Sequence, residues 1–86
     1  MPDGKIAKRC WFTFPTQSQV EQPILWEMSR KFPEVSFDIR QASVRADIGI
    51  MAVLLTGRSE EVLAAMEFMR SRGVTVEPIE KSVVEG

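Results

Sequence analysis

The 86 residues contain no histidine and a single cysteine, Cys10. Without histidine the chain lacks the commonest metal ligand and the side chain that shuttles protons near neutral pH, so histidine-based catalysis is excluded. One cysteine cannot make an internal disulfide. A charge excess of either sign is missing as well. Eleven Lys and Arg stand against twelve Asp and Glu, a net charge of -1, which leaves no basic footprint for nucleic acid or an anionic membrane surface. No apolar run approaches the roughly 20 residues that span a bilayer. The opening Met1, Pro2, Asp3, Gly4 and Lys5 form no apolar signal core, so the expectation is a soluble, cytoplasmic protein without membrane insertion. A chain of this length forms one domain with one modest core, too small to enclose a deep active site as well.

What is present is hydrophobic patterning. In Cys10, Phe12 and Phe14, apolar residues alternate with Arg9, Trp11 and Thr13, which reads as a first strand ended by Pro15. Pro23 suits the first turn of a helix over about 20–32, with Ile24, Leu25, Met28 and Phe32 at helical spacing and Pro33 as its stop. Val35, Phe37 and Ile39 restore period two in a second strand over about 35–45. Val44 is five residues past Ile39, the wrong parity, so a bulge near 41–43 or an early strand end is expected. The third strand, about 48–56, is apolar at both alternating sets, with Met51, Val53 and Leu55 on one face and Ile50, Ala52 and Leu54 on the other. Ser59 is the expected N-cap of a second helix. Glu60 and Glu61 lie in its first turn, Val62, Ala65, Met66 and Met69 form its apolar stripe, and Gly73 its C-terminal cap. A short fourth strand over 74–77 is confined to an edge by Pro78.

Strand, helix, strand, strand, helix, strand is the order of an α+β, ferredoxin-like βαββαβ sandwich: a four-stranded antiparallel sheet with two helices on one face. With Phe12, Val53 and Val76 turned toward the helices, the other face carries Trp11, Thr13, Ile50, Ala52, Leu54, Thr75 and Glu77, joined by Asp38 and Arg40 from the second strand. That set is too apolar for open water, so a second copy of the chain or a ligand is expected to cover it. A dimer interface would hold Trp11, Ile50, Ala52 and Leu54, with Trp11 as its anchor, and the same place could stack a ligand.

Most chemistry hosted by this fold is absent. The loop over 15–19 has neither a metal chaperone's Cys-x-x-Cys pair nor an arginine to cradle phosphate, and no P-loop occurs anywhere. The third strand offers no aromatic residue for RNA stacking. Cys10 shares the parity of Phe12 and Phe14 and reads as a core residue, and the methionines read as core filler. The expectation is a protein that is not an enzyme and holds no metal or cofactor.

The sequence resembles the NIL domain, a small ferredoxin-like module found in methionine-importer ATPase subunits and in NIL-ferredoxin proteins. The resemblance is carried by Phe12, Thr13, Phe14 and Pro15; by Gln22, Pro23, Ile24 and Leu25; and by Phe37, Asp38 and Ile39 with Gln41 and Ala42. Gly49, Ile50 and Met51, then Leu55, Thr56 and Gly57, and finally the run from Ala65 to Val76 complete it. It implies one NIL-like domain over 7–80 between flexible termini, 1–6 and 81–86. It also implies a regulatory module that senses a sulfur amino acid such as methionine at a homodimer interface, in relation to an ABC transporter. Asp38 matches the polar strand-two position that helps hold the amino acid, and a carboxylate there attracts an ammonium group. Ligand-binding residues implied in this way are Asp38, Arg40, Trp11, Ile50 and Ala52. The other branch of the family implies an alternative: an accessory or interaction module of a homocysteine-forming sulfur-assimilation or ferredoxin system that binds no metabolite. The corresponding partner is a transporter or a ferredoxin-type protein.

Overall fold

A computed structural model describes residues 4–79. Its elements are β1 (Lys5–Phe14), α1 (Gln17–Glu21), α2 (Ile24–Lys31), β2 (Ser36–Val44), β3 (Gly49–Arg58), α3 (Ser59–Ser71) and β4 (Thr75–Pro78). The strands form one antiparallel sheet in the order β2-β3-β1-β4, which puts the most apolar strand and the Phe12 strand at the centre. Cys10, Phe12 and Phe14 of β1, Met51, Val53 and Leu55 of β3, and Val76 of β4 are buried against Ile24 and Met28 of α2 and Val62, Ala65, Met66 and Met69 of α3. The helices therefore cover one face, and the architecture is the α+β, ferredoxin-like one that the pattern predicts.

The first crossover differs from the single helix expected over 20–32. Two helices occupy it, separated at Gln22 and Pro23. A residue before proline is pushed out of the helical region, and Gln22 is extended at φ -89°, ψ 143°. Pro23 then centres an inverse γ-turn, φ -81° and ψ 59°, in which the Ile24 N–H donates to the Gln22 carbonyl at 2.8 Å. Proline thus stands ahead of α2 instead of inside its first turn.

The start of α3 also differs, because Arg58 is its N-cap and Ser59 is its first helical residue, with no side-chain cap bond. Pairing of Arg58 with Lys5 keeps the chain extended up to the helix. The Ser59 N–H donates to the Gly4 carbonyl at 2.8 Å, so an orphan helix donor is satisfied by the neighbouring strand instead of a hydroxyl. At the other end Gly73 acts as expected: at φ 89° it closes a Schellman motif. Its N–H bonds the Arg70 carbonyl at 3.0 Å, and the Val74 N–H bonds that of Met69 at 3.1 Å.

β1 begins at Lys5, so the expected boundary at residue 7 falls within a paired strand. Residues 1–3 and 80–86 lie outside the described residues, and with them the proposed end at 80 and the 81–86 terminus.

Candidate functional site: the open sheet face

Opposite the helices, the strand registers set side chains in rows across β2, β3 and β1. Ser43, Ile50 and Thr13 form one row, Gln41, Ala52 and Trp11 the next, and Asp38, Leu54 and Arg9 the third. Thr75 and Glu77 of β4 flank Thr13 and Trp11. Ile50 is 41% exposed, whereas Ala52, between Gln41 and Trp11, is only 5% exposed. Trp11 is half-buried.

At least two clefts lie on this face among the described residues. One of about 150 Å³ is lined by Trp11, Gln41, Ala42, Ser43 and Ile50. The other, about 390 Å³, is lined by Ala7, Arg9, Leu54 and Ile79. Trp11 and Ile50 are therefore brought together, with Ala52 beside Trp11, while Leu54 and Asp38 sit a row away. Arg40 does not continue the face as a regular strand residue. It is the extra residue of a β-bulge between Ile39 and Gln41, one position before the range expected from the parity of Val44. The Arg40 guanidinium donates to the Asp38 Oδ2 at 2.7 Å, and both side chains are more than half exposed. An ion pair so open to water contributes about 0–1 kcal/mol, so it positions two side chains more than it stabilises the fold.

The bulge decides the chemistry of this edge. Regular alternation from Asp38 would put Ala42 and Val44 on the open face. The extra residue turns them toward the helices, opposite Met51 and Gly49, and puts Gln41 and Ser43 in their place. Sequence reasoning missed these two polar residues, although the misplaced parity of Val44 was the signal. Ala7 and Arg9 were missed as well, although they alternate with Cys10 and Phe12 in the same strand.

A second apolar surface, on the helix side, was not anticipated. Trp26 of α2 and Val44 of β2 are 58% and 57% exposed. With Phe14, Leu25 and Met51 they line a cleft of about 170 Å³. The Arg30 guanidinium lies 5.4 Å from the Trp26 ring centroid, a cation–π distance that covers part of the indole.

Cys10 is fully buried, and desolvation pushes its thiol pKa up against the smaller opposing effects of the Lys8 and Arg70 charges. A thiol held neutral among Phe12 and Val53 is a packing residue. Among the described residues no group of three or more His, Cys, Asp or Glu side chains could hold a metal ion, and no helix is long and apolar enough to cross a membrane.

In strand order and helix placement the molecule is similar to the C-terminal domain of an ABC transporter ATP-binding protein from Enterococcus faecalis. The TM-score is 0.73 at 22% identity, with 87% of this chain and 86% of that one covered. At that identity the likeness establishes the fold alone. No curated protein matches the chain by sequence. Residues 11–78 match the NIL domain model, a span from the middle of β1 to the end of β4 that holds all but the Ala7, Arg9 and Ile79 corner of the open face. The chain belongs to the NIL domain family.

Proposed function

We propose that this NIL domain is a non-enzymatic regulatory module of the cytoplasm that binds a small sulfur amino acid, such as methionine, between the open sheet faces of a homodimer. The observation that carries the reading is the apolar centre of the sheet: Trp11, Ile50, Ala52 and Leu54 line one face of β1 and β3, and among the described residues no helix lies over them. An apolar surface of this kind marks a place where something docks, and a ferredoxin-like domain this small gains stability by burying it. Trp11, Ile50 and Ala52 would form the apolar wall and Asp38, oriented by Arg40, the anchor for the ligand's ammonium group. The solved ATP-binding-protein domain of similar fold supports a transporter component as the regulated partner.

Isothermal calorimetry with L-methionine, L-homocysteine and L-cysteine tests binding, and sedimentation velocity tests the dimer. The expected result is saturable heat with at least one of the three at millimolar concentration or below, from a species of twice the chain mass. Absence of heat with all three counts against the sensor.

A further inference from the structure

The larger open-face cleft differs from the smaller one in charge. Its lining is one cation, Arg9, and three apolar residues, Ala7, Leu54 and Ile79. Small-molecule sites have this composition, an apolar wall with a few placed polar groups that fix orientation. The backbone around Arg9 is held from both sides. Arg9 is registered opposite Leu54 of β3, and the Ile79 N–H donates to the Arg9 carbonyl at 2.8 Å. Leu54 is in turn opposite Asp38, so a single row reads Arg9, Leu54, Asp38, base and acid separated by an apolar residue. Adjacent strands lie about 4.8 Å apart, so the two charged residues stand roughly 10 Å apart at the backbone, a span that their side chains and a small zwitterion together bridge.

Arg9 and Arg40 are not equivalent. Arg40 is engaged by Asp38, whereas Arg9 enters no ion pair among the described residues. A guanidinium presents a planar fork of donors that matches a carboxylate through two parallel hydrogen bonds. An amino acid anchored by Asp38 through its ammonium group still needs a cation for its other end, and Arg9 is the cation across the row.

We infer that Arg9 is the carboxylate-binding residue of the open-face site, with Ala7, Leu54 and Ile79 extending the apolar wall of Trp11, Ile50 and Ala52 at that end. This rests on the reading that the open face binds a small amino acid, and it names the end of the face where the ligand's acid group lies. The ligand class is an amphipathic carboxylate: the acid group is required, the ammonium group adds affinity through Asp38.

The test is calorimetry on the full chain and on Arg9→Gln and Arg9→Lys. Three probes serve: L-methionine, 4-(methylthio)butanoate, which lacks the ammonium group, and 3-(methylthio)propylamine, which lacks the carboxylate. Because Arg9 is exposed, both variants should keep the parent circular dichroism spectrum. The unsubstituted chain is expected to bind methionine best, the butanoate next and the amine least. Arg9→Gln should weaken methionine about tenfold to a hundredfold, the loss of a charge-assisted hydrogen-bond pair, and abolish the preference for acid over amine. Arg9→Lys should restore part of it. Methionine binding left unchanged by Arg9→Gln, or an amine bound more tightly than the butanoate, overturns the assignment of Arg9 alone. An unsubstituted chain that binds none of the sulfur amino acids overturns the open-face site itself.

Discussion

Alternate residues of the same two central strands meet opposite environments. On the helix side Phe12, Val53 and Leu55 are fully buried. On the other side, one residue along the chain, Trp11 and Leu54 are half-buried and Ile50 is exposed. Both sets are apolar, so composition does not distinguish them. Coverage does: α2 and α3 fill one face, and among the described residues no further element covers the other. The difference separates a face whose side chains hold the fold together from one whose side chains no described helix packs against.

Substitution on the covered face should have the largest effect. Leu55→Ala removes a fully buried side chain and should cost about 2–5 kcal/mol, a large part of a typical domain stability of about 5–15 kcal/mol. Urea unfolding followed by circular dichroism measures it, and a loss below about 1 kcal/mol would mean that this face collapses around the gap.

The neighbouring residue sharpens the contrast. Leu54→Glu places a charge on the open face and should keep the parent circular dichroism spectrum, because Leu54 lies outside the cluster that the helices cover. Its expected effect is on association: sedimentation should show monomers. A variant that sediments as the parent does would place the interface elsewhere, with the exposed Trp26 and Val44 surface as the next place to substitute.

Acid–base behaviour offers a subtler test of the covered face. Burial raises the Cys10 thiol pKa in the folded protein, so the unfolded chain releases that proton first as pH rises. The stabilisation is full below the ordinary thiol pKa of about 8.5 and is lost as pH climbs from there through the raised folded value. Urea unfolding from pH 7 to 10 should therefore show a stability decline that is shallower in Cys10→Ala, whatever that variant's baseline.

Asp38→Asn should have the smallest effect on stability. Breaking an ion pair this exposed should change it by about 1 kcal/mol or less while weakening any bound amino acid, so thermal melts with and without L-methionine separate the two roles. A stability loss several times larger would show that the Asp38–Arg40 pair holds the β2 edge in place.

Much of this arrangement was legible in the residues. Period-two alternation located all four strands, and Gly73 located the end of α3, because only glycine readily takes the positive φ of a Schellman cap. The errors cluster where two parts of the chain meet. Gln22 and Pro23 split the first crossover through a local rule that periodicity alone overlooked. Ser59 has the chemistry of a cap, but the strand beside it satisfied its N–H first. The open face was legible in Trp11, Ile50, Ala52 and Leu54, but not in Gln41 and Ser43, whose side is set by a bulge one residue long.

By itself, the amino-acid sequence determined the element types, the central place of the doubly apolar strand, and the existence of an apolar face left uncovered. These follow from period and composition, which are properties of neighbours along the chain. Tertiary structure alone decided that the bulge falls at Arg40, and so that Arg40 turns back to Asp38. It also decided that Arg9, Leu54 and Asp38 share one row beside a cleft completed by Ile79. Those facts depend on the register between strands, which is settled by how the whole sheet packs against its helices and which no local pattern carries.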